Sequence, residues 1–349
     1  MQGATKDAFQ PEHELHLERK EEAQHHKEED KKHSQENDHY QAVTFDLEAV
    51  LYTPLTDVGL LYYKRKLAVY NFTVYEQDSR NGYCYIWPET AGKRGSNEIA
   101  TCLYKYLETL PDTVTHVSSF SDTCGGQNRN IHVVSAMLHA VRTSQHLKVI
   151  DFKYMESGHS SMEVDSMHSA IERARRHQKI YNVREWEVVC RSARRNNPYE
   201  VEQLTFHDFI DFHKLSQATI VNRSINSDGE KVNWLKIKWF RFQKTTPTSV
   251  LYKEKLSEEF KEIPVTQRPT TRGTRRQSAA TDHQAVLEMA YDGQLPISTP
   301  KKADLMSLMT CGAIPHEYEQ FYSSLPCRGD VRDALPEPDA EEQEEYVEI

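Results

Sequence analysis

Between residues 41 and 190 the spacing of apolar side chains switches repeatedly between a period of two and a period near 3.6, and this alternation constrains the fold more than any other feature of the chain. It predicts strands over 42–48, 66–77 and 83–87, a helix over 97–110, a strand over 114–121, a helix over 130–143, a strand over 147–154 and a helix over 163–177. Asn81-Gly82 is a turn signal that makes the second and third strands an antiparallel pair. Ser96 is the expected N-cap of the first of these helices, and Pro111-Asp112 its stop. The resulting order, β-β-β-α-β-α-β-α, describes an α/β domain with a mixed five-stranded sheet: an antiparallel start extended by βα units.

Three acidic stations fall at strand ends and on a helix within that frame. Asp46 lies between Phe45 and Leu47 in the first strand, where a charge is costly unless something pairs with it. By alternation Glu48 shares its face. Asp122 closes the strand over 114–121 and precedes the glycine turn Cys124-Gly125-Gly126-Gln127-Asn128-Arg129-Asn130. Asp165, His168 and Glu172 share one face of the last helix, at spacings of three and four. If the first and fourth strands are neighbours, Asp46 and Asp122 come within bridging reach of a metal, and either Asp165 or Glu172 supplies a third carboxylate. Hard oxygen ligands of this kind suit Mg²⁺ or Mn²⁺, and two such ions can activate an attacking water or hydroxyl and stabilise a leaving oxygen at phosphorus. Glu48, Gln127, Asn128, Arg129, His159 and His168 are expected around the rim, near a nucleic-acid backbone. Cys124 reads as a small buried thiol, and the turn lacks the spacing and Lys-Ser/Thr pair of a nucleotide-binding P-loop.

The bulk numbers limit the partners. The 349 residues carry a net charge of −10, which argues against a chain that coats nucleic acid without specificity. Six cysteines without a CxxC pair imply neither a disulfide framework nor a zinc knuckle. No apolar run resembles a leader or a membrane span, so the expected setting is intracellular, nuclear or cytoplasmic, with no membrane partner. Outside the core at 41–190, residues 1–40 read as a charged, marginal helix or disordered segment rich in histidine. Residues 191–263 read as a small α+β extension with a hairpin near 232–242, and 264–282 as a basic linker. Residues 283–328 form a helical and aromatic segment that returns to the core, and 329–349 an acidic, disordered tail.

Thr44-Phe45-Asp46-Leu47-Glu48, Tyr63-Lys64-Arg65-Lys66-Leu67, the run Ser121-Asp122 through Asn130, and Gly158-His159-Ser160 with Met162, Asp165, His168 and Glu172 together resemble an uncharacterised transposon-associated family of animal proteins. Its members are similar to DDE-type transposases and integrases of the RNase H-like superfamily. The resemblance extends over about residues 10–326. It implies an RNase H-like core, DNA as the partner, a homo-oligomer as a compatible assembly, and a truncated or domesticated nuclease or strand-transfer domain working with Mg²⁺ or Mn²⁺. Asp46 and Asp122 then match the first two acids, and Asp165 or Glu172 the third. Two other readings stand beside it. Asp46-x-Glu48 with His159 and Asp165 resembles a DEDDh-type 3′–5′ exonuclease, with the last spacing one residue long. A catalytically silent scaffold of the same fold would use the acidic tail and the Arg272–Arg276 linker as contact points.

Overall fold

A computed structural model describes residues 6–123, 128–156, 162–266 and 286–333. After the long helix α1 (Lys6–Glu36) come strands β1 (Tyr40–Leu47), β2 (Leu51–Thr53), β3 (Leu67–Glu76) and β4 (Gly82–Pro88). Then follow α2 (Ser96–Thr109), β5 (His116–Ser121), α3 (Ile131–Thr143), β6 (Val149–Tyr154), α4 (Glu163–Arg175), α5 (Val183–Ser192) and β7 (Glu200–Gln203). The chain continues through α6 (Phe212–Thr219), β8 (Trp239–Gln243), β9 (Val250–Lys253) and β10 (Lys261–Ile263). It closes with β11 (Ile297–Ser298), α7 (Thr299–Thr310), α8 (Glu319–Ser324) and β12 (Cys327–Arg328).

The main sheet has ten strands, with β10-β9-β8-β6-β5-β1-β3-β4-β7 in lateral order and β2 paired to β3. Strand β1 runs antiparallel to β3 and parallel to β5, and β6 runs parallel to β5. Nearly every residue of β1 and β3 is buried, the polar Gln41, Thr44, Asn71 and Thr73 included, because helices cover both faces of the sheet there. Phe45, Phe72, Trp87 and Phe152 meet α2 and α3 on one face. Val69, Ile86 and Phe120 meet Met167 and Ile171 of α4 and Trp186 of α5 on the other. The result is a mixed α/β architecture with helices on both faces of a large mixed sheet. Helices α7 and α8 form a third cluster with Leu61 and Leu67.

Several local expectations are corrected. Ser96 is the first residue of α2, and Gly95 occupies the cap position. The hairpin expected near 232–242 lies further on, between β8 and β9, because Trp239–Gln243 finds its partners in β6 and β9. Residues 232–238 instead form a short turn of helix at Trp234–Lys236. Strand β7 joins the opposite edge, beside β4. Helix α1 docks through an unusual stripe, Ala23, Lys27, Asp30 and Ser34, all buried. Lys27 pairs with Glu163 at 3.1 Å, and Asp30 accepts from Lys153 and from Ser118, each at 2.5 Å. Glu163 is the first residue of α4, so α1 helps to fix the helix that carries Asp165 and His168. The linker residues from 267 onward, with Arg272–Arg276, and residues 334–349 of the acidic tail lie outside the described residues, whereas the start of the tail is held, Asp333 pairing with Arg65 at 2.9 Å.

Candidate functional site

The site is built at the carboxyl ends of β1 and β5, where the sheet passes from parallel to antiparallel pairing. The last paired residues of β1 and β5 are Thr44 and Phe120, so continuing the register by two sets Asp46 opposite Asp122. On the other side Asp46 stands opposite Thr73 of β3. Helix α4 crosses this end of the sheet over β1 and β3 and presents Asp165 and His168 from its first two turns. One ligand atom from each of Asp46, Asp165 and His168 lies within 4.8 Å of the other two.

The hydrogen bonds orient the imidazole. The Thr73 hydroxyl donates to the Asp46 carbonyl at 3.1 Å and therefore accepts from His168 Nε2, 2.8 Å away. That leaves the lone pair on Nδ1, the state in which a histidine can ligate a metal while its other nitrogen is held by an outer partner. Asp165 accepts the Met162 main-chain N–H at 2.9 Å, which ties the carboxylate to the start of α4. Arg94 reaches the Glu48 carbonyl at 3.5 Å and is the cation that acts on Asp46.

The electrostatics are those of acids crowded together. Burial, then the Asp122 charge, then Asp165 push Asp46 up to about 8, against the opposing pull of the Leu47 N–H and Arg94. Burial pushes His168 down to about 4, so its ring is neutral near pH 7. Asp151, an acid in the same kind of setting on β6, makes the contrast. It is also buried, yet it accepts from His116 at 2.7 Å, Trp239 at 2.8 Å and Arg241 at 2.7 and 2.9 Å. Burial alone would raise Asp151, but the bonds from His116 and Arg241 hold it far below the usual carboxylate range. The Asp151 charge is neutralised by the chain's own cations. The neighbours that dominate Asp46 are acids, and a bound cation would relieve them. Two carboxylates, an imidazole with a free lone pair and a third carboxylate alongside form a donor set that fits a divalent ion.

Not every expected residue joins the cluster. Glu172 is exposed and paired with Arg175 at 2.8 Å, and it lines a surface pocket with Leu55, Thr56, Asp57 and Arg176. It shares the helical face of Asp165 but stands about 10 Å further along the axis, at 1.5 Å per residue. Asp165 is therefore the acid that α4 contributes. His168, expected at the rim, is a member of the cluster, one turn along from Asp165. Glu48 lies just past the end of β1 and, as alternation predicts, on the face of Asp46, toward α4 and α5. It is buried, accepts from Asn71 at 2.7 Å and is pushed up to about 7 by burial. Asn128 donates to Asp122 at 2.5 Å, and its own Oδ1 has no hydrogen-bond partner among the described residues. Arg129, expected to face a nucleic-acid backbone, is buried. Its guanidinium donates to the carbonyls of Leu235 and Thr123 and lies over the Tyr154 ring, so it braces the end of β5 against Leu235 rather than facing outward. Cys124, Gln127 and His159 lie outside the described residues. Thr73 and Arg94 escaped the sequence reading. The signal for Thr73 was its position beside Asn71 on one face of an otherwise aromatic and aliphatic strand.

The model of the Domain of unknown function (DUF7869) matches residues 66–258, more than half of the chain. The chain belongs to the DUF7869 family. The matched span includes Thr73, Asp122, Asp165 and His168 and begins after Asp46. No curated protein and no solved structure matches the chain.

Proposed function

We propose that the domain is an RNase H-like, metal-dependent phosphodiester enzyme acting on DNA, by hydrolysis or strand transfer. The observation that carries this reading is the convergence of Asp46, Asp165 and His168 beside Asp122, with Asp46 titrating far above an ordinary carboxylate. The sheet supports it. Strands β4-β3-β1-β5-β6 form its centre, with β3 antiparallel to both β4 and β1 and with β5 and β6 parallel to β1, as expected of an RNase H-like core. The transposase-like and integrase-like origin rests on the same acids and remains part of the proposal.

Asp46, Asp165 and His168 would hold one divalent ion, with Asp122 placed to share it or to hold a second. Bound there, such ions would lower the pKa of a water and stabilise charge on phosphate oxygens. The imidazole shifts the preference within the Mg²⁺/Mn²⁺ pair toward Mn²⁺, the softer ion. Thr73 keeps the His168 ring in its ligating tautomer, Asn128 holds Asp122, and Arg94 offers positive charge beside the acids.

The test is calorimetric Mn²⁺ titration of the full chain together with cleavage of end-labelled DNA in Mn²⁺. Saturable binding that Asp46→Asn and Asp165→Asn each weaken at least tenfold, together with metal-dependent cleavage lost in both, is the expected result. Mn²⁺ binding indifferent to both substitutions would sink the reading. Metal binding without cleavage would favour the silent scaffold. Release of mononucleotides from the 3′ end would favour the exonuclease.

A further inference from the structure

A second cluster of titratable groups joins three helices and shares no residue with the acids. His132 on the first turn of α3 lies between the start of α2 and the start of α6. Its Nδ1 is 2.6 Å from Ser96 Oγ, and its Nε2 is 3.1 Å from Nδ1 of His213. Nε2 of His213 is in turn 2.9 Å from the Gln217 side-chain amide. The two rings stand edge to face, 82° apart. Each imidazole thus has its outer nitrogen at hydrogen-bond distance from a side-chain partner, and the two inner nitrogens face each other.

We propose that His132 and His213 are the two protein ligands of a site for a divalent transition ion of the zinc class, with Ser96 and Gln217 as the residues that position the rings. Two nitrogens bound to one zinc at about 2.0–2.1 Å and near the tetrahedral angle lie roughly 3.3 Å apart. The observed 3.1 Å is close to that, so small ring rotations suffice. Metal-ligating histidines characteristically have the other ring nitrogen held by a hydrogen-bond partner, and here both do. With no ion bound, one ring donates its proton to the other. On binding, the proton between the rings passes to Nε2 of His213, the Gln217 amide turns to accept it, and both inner lone pairs become available without net proton release. Asp211 lies close enough to act on His132 electrostatically, favouring a cation. Its carboxylate also caps α6 by accepting from Lys214 N at 2.9 Å. Burial and the neighbouring His213 push His132 down to about 4, which keeps that ring unprotonated and able to ligate at neutral pH. His213 is exposed, so the remaining coordination positions open to water or to an exogenous ligand.

The two sites differ in the ions that they should prefer. Carboxylates suit Mn²⁺ and Mg²⁺, whereas a pair of imidazoles suits Zn²⁺, Ni²⁺ and Cu²⁺. The test is a Zn²⁺ titration of the chelator-treated full chain against a chromophoric competitor. Wild type, Asp46→Asn, His132→Gln, His213→Ala and Ser96→Ala are compared after circular dichroism shows equal folding. One zinc equivalent that survives Asp46→Asn, disappears in His213→Ala and weakens about tenfold in Ser96→Ala would support the site. Zinc held by the N-terminal histidines is common to all five proteins and cancels in the comparison. His213 is exposed, so its replacement reads the site even if His132→Gln disturbs packing. Equal zinc stoichiometry and affinity in wild type and His213→Ala, or no zinc binding by wild type below millimolar concentration, would overturn the proposal. The acidic cluster can fail its own Mn²⁺ test without affecting this outcome.

Discussion

Replacing Asp46 by Asn should stabilise the metal-free protein at alkaline pH, an unusual result for a polar residue at the end of a core strand. The carboxyl titrates near 8 in the fold against 3.8 as its ordinary value, chiefly through burial and the Asp122 charge. The folded state therefore holds a proton between about pH 4 and pH 8 that the unfolded chain has released. By linkage, stability then falls as pH rises through that window, with the full loss present above the folded value. A separation of about four units corresponds to roughly 5 kcal/mol at 1.36 kcal/mol per unit. The side chain retains an opening to solvent, and screening through it reduces the effect to about 2–4 kcal/mol. Urea unfolding of wild type and Asp46→Asn in chelator, at intervals from pH 4 to 8.5, isolates the contribution as the difference between the two curves. The variant should be about 2–4 kcal/mol more stable at pH 8.5, with the gap shrinking to about 1 kcal/mol or less near pH 4. Saturating Mn²⁺ should reverse the order by stabilising wild type alone. A variant no more stable than wild type at pH 8.5 would refute the argument that Asp46 is held against its charge by neighbouring acids.

Three other outcomes follow from the packing. Asp30→Asn leaves Lys153 buried without its counter-charge and should cost roughly 3–5 kcal/mol, with α1 becoming the first segment to lose hydrogen-exchange protection. Adding Lys153→Met should recover part of that loss. Gly82→Ala would set a Cβ 2.7 Å from Tyr199 and 2.8 Å from Met167, so it should cost about 1–3 kcal/mol in urea unfolding and, through α4, weaken Mn²⁺ binding. Phe72→Ala opens the centre of the sheet's core and should cost about 3–5 kcal/mol, read by the same denaturation, with the same metal stoichiometry wherever the protein remains folded.

How much of this was legible in the sequence depends on the kind of information that each feature carries. The order of the first five main strands was readable because each is a run long enough to set a period, and Asp46 and Asp122 came out opposite each other because parallel pairing of β1 and β5 leaves little choice of register. Short edge strands such as β7 and β10 carry too few residues for a period and were missed. Helix α1 was readable only as a charged, marginal helix or disordered segment, because the face that it buries holds Lys27 and Asp30, whose partners Glu163, Lys153 and Ser118 are remote in sequence. Helical spacing put Asp165, His168 and Glu172 on one face, but a face is an angle and not a height. The axial rise removes Glu172 from the cluster and keeps His168. The hardest distinction is between Phe45-Asp46-Leu47 and Ile150-Asp151-Phe152, two acids in equally apolar strand settings. Local pattern treats them alike, and what separates them is Arg241, ninety residues beyond Asp151 in sequence and hydrogen-bonded to it. A buried acid that meets the chain's own cation is part of the structure. One that meets other acids is a candidate for binding a cation from outside, and that difference belongs to the tertiary fold.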